Sequence, residues 1–122
     1  MLDHVGIQVR SLEASKAFYD VALAPLGARR MLKYEQAVGY GVTRADFWLY
    51  PAVTEEPGRE VRIAFAAADR DTVWGFFAAA VAAGAEVLHA PRVWPEYHES
   101  YFGAFVRDPD GNNVEAVCHA PE

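Results

Sequence analysis

His4-Val5-Gly6-Ile7-Gln8-Val9 is a short apolar alternation that runs into a helix-like stretch ending near Gly27. Arg62-Ile63-Ala64-Phe65-Ala66-Ala67 repeats the pattern, and its helix-like stretch ends at Gly84. The copies align at a constant offset of 58 residues, His4 onto Arg62 and Phe18 onto Phe76. A period of about half the chain indicates two similar modules facing each other rather than a solenoid. The reading is therefore one domain over 1–122, with module one at 1–56 and module two at 57–122. The seam between such modules is a natural place for a ligand pocket.

Outward from these stretches, residues 3–9 read as a strand. Ser11 is the N-cap of a helix with Glu13 in its first turn, where the helix dipole favours an acid. Ala14, Ala17, Phe18 and Val21 recur at helical spacing, and Pro25 with Gly27 stops the helix. Residues 29–34, 36–42 and 45–50 read as three short strands, and 51–58 as a linker. Module two repeats the order: a strand at 60–67, then a helix capped by Asp69. Val73, Phe76, Phe77, Ala80 and Val81 of that helix face the core, and Gly84 is its C′ residue. A strand at 85–89, a long loop at 90–100 and strands at 101–107 and 112–119 follow. The last two are joined by Asp108-Pro109-Asp110-Gly111, where Pro presets φ and Gly supplies flexibility. The fold class is α+β, β-α-β-β-β twice.

Composition excludes several function classes. At 122 residues and 52% hydrophobic content the chain buries a core without staples. A net charge of −6 with no basic cluster argues against nucleic acid. The longest strongly apolar run, 76–81, is too short to span a bilayer. One cysteine, Cys118, excludes an internal disulfide framework. With no signal-peptide pattern before the first strand, a cytoplasmic location is expected.

Alternation assigns faces. Val5, Ile7 and Val9 point toward the first helix, and Ile63, Phe65 and Ala67 toward the second. His4 and Arg62 then face the opposite, concave side. In the last strand Val114, Ala116 and Cys118 share one parity, and Asn113, Glu115, Val117 and His119 the other. Glu115 between two apolar neighbours is easier to place on a polar cavity than beneath a helix. Matching the module ends sets Trp48 opposite Glu115 in the repeat. Tyr40 and Trp48 are read as apolar cavity wall, and Gly39 and Gly41 as a bulge, a close backbone approach or ordinary strand-end glycines.

Asp3-His4-Val5-Gly6-Ile7-Gln8-Val9, Phe18-Tyr19 and Asp108-Pro109-Asp110-Gly111-Asn112-Asn113-Val114-Glu115 together resemble the vicinal oxygen chelate superfamily. That group includes glyoxalase I, bleomycin-resistance and fosfomycin-resistance proteins and extradiol dioxygenases. The resemblance covers essentially the whole chain. It implies paired βαβββ modules curled around a shared cavity, with four metal-ligand positions on the wall. Carried over, these are His4, Trp48, Arg62 and Glu115. His4 and Glu115 match as ligands for Zn, Ni, Mn or Fe(II). Trp48 and Arg62 depart from the pattern, since neither offers a lone pair to a metal. Arg62 is instead expected to bind Glu115 bidentately, as a structural ion pair or as part of a site for an anionic or carbonyl ligand. His4 is then a wall histidine bonded to a neighbouring carboxylate or backbone, or a ligand.

Residues 92–102 hold four aromatics and His98 within eleven positions, unusual for a connecting loop. Tyr97, His98 and Tyr101 are candidates for ligand contact or acid–base work. The loop could equally pack as a lid or make a subunit contact, or His98 could supply a missing metal ligand. His89 and His119 are read as surface or strand-end residues. Three functions follow. One is a metal-dependent lyase, isomerase or dioxygenase using His4, Glu115 and a third ligand. Another is metal-free binding of a small organic molecule by Arg62, Glu115, His4 and the aromatic loop, with His98 and Glu115 moving protons. The last is an interaction module with a vestigial cavity. The residues favour the second, in a homodimer, and the first is the main alternative.

Overall fold

Two side-chain caps start the helices of the computed structural model, which describes residues 1–122. Ser11 Oγ accepts from the Ala14 backbone N–H, and Asp69 accepts from the Thr72 N–H and hydroxyl. The elements are β1 (Val5–Val9), α1 (Leu12–Ala22), a 3-10 turn (Ala24–Leu26), β2 (Arg29–Tyr34), β3 (Ala37–Gly41) and β4 (Phe47–Pro51). Then come β5 (Arg62–Ala66), α2 (Arg70–Ala82), β6 (Val87–Val93), β7 (Phe102–Arg107) and β8 (Asn113–Cys118). They form two four-stranded mixed sheets ordered β1-β4-β3-β2 and β5-β8-β7-β6, the βαβββ unit twice. In each, the last strand returns parallel to the first, and the remaining pairs are antiparallel.

One apolar cluster contains residues from both halves. Ile7, Val9, Phe18, Tyr19, Tyr40, Phe47 and Leu49 pack with Phe76, Ala80, Val106, Val114 and Ala116. The Phe47 and Phe65 rings meet edge to face across the seam, with centroids 5.1 Å apart. No helix is long and apolar enough to cross a membrane.

The buried stripe of α1 is Ser15, Phe18, Tyr19 and Ala22, so Ala14, Ala17 and Val21, expected inside, face solvent. The tyrosine decides the rotation: its buried hydroxyl has a partner in module two. In α2, Val73, Phe76 and Ala80 are buried, whereas Val81 is exposed. β6 runs four residues beyond the expected strand end at 89 and takes in Pro91. Two register irregularities in its pairing with β7 absorb the residue that cannot donate to the ladder.

The Asp108–Asn112 turn joins the modules. The Asp108 carboxylate is buried and accepts from the Tyr19 hydroxyl at 2.7 Å, the Asp110 and Asn112 backbone N–H groups and the Asn112 side-chain amide. Asp110 accepts from the Arg10 N–H, and Asn112 Oδ1 from the Val61 N–H. Module one and Val61, the residue just before β5, are thus tied to a single turn.

Candidate functional site on the concave wall

β5 and β8 lie side by side and parallel, with Ala64 opposite Glu115 and Arg62 opposite Asn113. Ile63, Phe65, Val114 and Ala116 pack beneath the helices, so Arg62, Ala64, Asn113 and Glu115 project from the other, concave face. The wall is open: His4, Gly6, Gln8, Arg62 and Ala64 are exposed. A cleft of about 760 Å³ lies elsewhere, between residues 52–59, Arg10 and Asp110.

Glu115 is only 6% exposed. The Tyr101 hydroxyl donates to its Oε2. Gly103 of the neighbouring β7 leaves room for this pair, since a Cβ there would lie 3.0 Å from the same oxygen. The other oxygen, Oε1, has no protein donor and is not sealed from solvent. Burial raises the Glu115 pKa; the Tyr101 hydrogen bond and the charges of Arg62 and His119 act against that rise. The Tyr101 hydroxyl is itself pushed up, first by burial and then by Glu115.

The aromatic loop comes to this carboxylate. Trp94 is buried, and its indole N–H donates to the Gly103 carbonyl at 3.0 Å. Tyr97 stacks on Trp94, with its ring 4.8 Å from Tyr101. His98 Nε2 lies 2.8 Å from His119 Nδ1, and His98 Nδ1 accepts from the Ser100 N–H. These contacts assign the tautomers. An amide donor on Nδ1 requires a lone pair there, so neutral His98 carries its proton on Nε2 and donates to His119. The loop is thereby held to the end of β8, with the Tyr101 ring 5.2 Å from His119.

The structure thus gathers Tyr97, His98, Tyr101 and Glu115, and adds His119. Sequence reasoning gave His119 no role, although it shares parity with Glu115. The expected bidentate Arg62–Glu115 pair does not form: the register sets Ala64, not Arg62, beside Glu115, and Tyr101 reaches the carboxylate from the loop. Tyr40 does not face the concave wall; it borders a small, mostly apolar cavity at the module seam with Leu23, Phe47 and Phe65. It is fully buried beneath α1, and its hydroxyl donates to Asp20 Oδ1 at 2.8 Å. Trp48 is half-buried on module one's concave face and stacks with Tyr50. It lies on Gly39, where a Cβ would come within 2.7 Å of the indole, which is the close approach this glycine allows. His4 precedes β1, exposed, with Nδ1 2.8 Å from Asp3 Oδ1. Cys118 is buried on the helix side.

The four positions implied by the resemblance do not fit a divalent ion. Trp48 and Arg62 have no lone pair to give, which leaves only His4 Nε2 and Glu115 Oε1 open to a metal, two donors where a protein site needs at least three. No three His, Cys, Asp or Glu side chains converge on a point that could hold a metal. His98 does not fill the gap, because its tautomer aims a proton at His119.

The chain can be set beside known proteins on this geometry. A glyoxalase/bleomycin resistance protein from Albidiferax ferrireducens T118 is 27% identical, with a TM-score of 0.82 over 96% of this chain and 97% of that one. A glyoxalase/bleomycin resistance protein/dioxygenase family enzyme from Burkholderia phytofirmans PsJN is 20% identical, with a TM-score of 0.75 over 98% of each chain. Lactoylglutathione lyase from Agrobacterium tumefaciens is 23% identical, with a TM-score of 0.68 over 94% of this chain and 90% of that one. The last two likenesses concern the fold alone. No curated protein matches the sequence. The profile of the Glyoxalase/Bleomycin resistance protein/Dioxygenase superfamily matches residues 1–116, nearly the whole chain, and the protein belongs to that superfamily.

Proposed function

We propose that the chain binds a small organic molecule on the concave wall of module two, without a divalent ion at the four superfamily positions. Glu115 carries this reading. A buried carboxylate held by one tyrosine, with its second oxygen free, is a poor structural element and a good acceptor for a ligand's proton or hydrogen bond. Its raised pKa brings it closer to neutral pH, where an acid or base exchanges protons efficiently. In this reading Tyr101 orients the carboxylate, and His98 is a positioning residue that ties the loop to His119. Tyr97 offers an exposed ring to an organic ligand. Two copies associate as a homodimer through the edge strand β2, which exposes Leu32 and Tyr34.

The test is a thermal-shift panel of small carboxylates, phenols and carbonyl compounds on wild type and Glu115→Gln. A saturable upward shift in wild type, reduced in the variant, is expected. No shift with any compound, or equal shifts in both proteins, overturns the reading. Elemental analysis of protein purified without chelator is expected to give far less than one equivalent of divalent metal. A stoichiometric metal would instead establish the metal-dependent lyase, isomerase or dioxygenase alternative.

A further inference from the structure

The Arg62 guanidinium and one oxygen of the Glu115 carboxylate, opposite charges on the concave wall, have no protein partner. Arg62 begins β5, is exposed, and its guanidinium donates to no carboxylate or carbonyl. Glu115 Oε1, on the adjacent β8, accepts from nothing in the chain. The parallel register offsets the two residues by two positions, with the small side chain of Ala64 beside Glu115. Diagonal neighbours on a sheet face have backbones roughly 7 Å apart, a spacing that long side chains can bridge. No ion pair joins Arg62 to Glu115 all the same, so both charged ends are left on one wall for a short ligand fragment with a group at each end. Asn113 Oδ1, opposite Arg62, is also buried without a partner, an uncommon state for a polar atom.

We propose that this gap takes a small carboxylate bearing an N–H or O–H donor on the adjacent carbon, a 2-amino or 2-hydroxy acid. The carboxylate lies on the forked guanidinium of Arg62, and the donor points at Glu115 Oε1. The inference rests on the small-molecule reading above and names the class of ligand. Charge selects it: a ligand with only an anionic group meets Glu115 unpaired, and one with only a cationic group meets Arg62. The Arg62 charge also favours the ionised forms of Glu115 and Tyr101. Tyr101, bonded through its hydroxyl to the carboxylate, has the Tyr97 ring 4.8 Å from its own, and the two rings suit an aromatic tail.

Titration calorimetry on the full chain at pH 7.5 tests this with four probes of one shape. L-phenylalanine and L-3-phenyllactate carry both groups, 3-phenylpropanoate lacks the 2-substituent, and 2-phenylethylamine lacks the carboxylate. At least one of the first two is expected to bind about tenfold or more tightly than both truncated probes, the worth of a hydrogen bond to a charged group. Tighter phenylalanine identifies an ammonium donor; tighter phenyllactate identifies a hydroxyl. Arg62→Leu, at an exposed position that leaves the fold intact by melting, is expected to remove the advantage over 2-phenylethylamine. If 3-phenylpropanoate binds wild type as tightly as both 2-substituted acids, or if Arg62→Leu keeps the advantage over 2-phenylethylamine, the bridge is overturned. Where those affinities still fall in Glu115→Gln, the small-molecule site stands without the bridge. Where they are unchanged in both variants, the site falls with it. Absence of binding by all four probes also overturns the bridge, and the compound panel then decides the wider reading.

Discussion

Glu115 shows how one side chain couples burial to pH. Its ordinary value is 4.5, and burial raises it in the folded chain. The folded state therefore holds this proton more tightly than the unfolded state does. The stability from protonated Glu115 is complete below the unfolded value and is lost as pH rises through the folded value. Glu115→Gln keeps an acceptor for Tyr101 and has no charge to bury. Its melting midpoint should gain on wild type as pH rises from 4 toward 8; a difference that is flat with pH would remove Glu115 from the half-dry site described here. This reverses the destabilisation that a bidentate Arg62–Glu115 pair would have implied for the same change. The face of Glu115 was legible in the sequence, because an acid between Val114 and Ala116 has one comfortable side. Its partner was not, because Tyr101 comes from a loop whose path no periodicity records. Tyr40, read as apolar cavity wall, shares the core parity of Val38 instead, and Asp20 of α1 supplies the acceptor that its hydroxyl needs beneath the helix, a contact no local pattern records.

At the scale of elements, the Asp108–Asn112 turn was the most specific stretch of the sequence, and its structural work is to bind the two halves. Asp108 accepts four hydrogen bonds, one from a tyrosine in α1. Asp108→Ala strands those donors in a buried place, at about 1–3 kcal/mol for each one that water cannot reach. A loss of about 3 kcal/mol in urea unfolding is expected. Tyr19→Phe removes one donor and leaves the others, so about 1 kcal/mol is expected. Equal losses in the two variants would mean that the carboxylate serves α1 alone and that the turn closes without it. The order of elements was readable almost throughout, since caps and alternation are local signals. β6 was cut short because Pro91 reads as a stop, and only the pairing with β7 shows how a bulged edge carries a proline. The rotation of α1 was misread because Ala14, Ala17 and Val21 satisfy a helical period as well as the true stripe does. Tertiary hydrogen bonding, not hydrophobicity, chose between them.

For the whole molecule, the outcome of folding is two sheets with open outer edges and a concave wall that is not enclosed. β6 protects its edge with irregular pairing, Pro91 and the charge of Arg92. β2 is less guarded. It ends its sheet, pairs on one side only, and exposes Leu32 at 59% and Tyr34 at 70%. An edge with unpaired backbone groups and apolar side chains is a template for another chain. A closed two-fold contact is the commonest way such a surface is satisfied. A homodimer through β2 is therefore expected. Sedimentation equilibrium at micromolar concentration should show the dimer mass for wild type and the monomer mass for Leu32→Asp with Tyr34→Asp. Both positions are exposed, so the double variant should keep the circular dichroism of wild type. Monomer alone in wild type would refute the assembly. A dimer that survives the double change would move the interface to the open concave wall, where Trp48 and Tyr50 present their stacked rings. Ligand affinity at Glu115 would then depend on protein concentration, whereas a dimer through β2 leaves it unchanged.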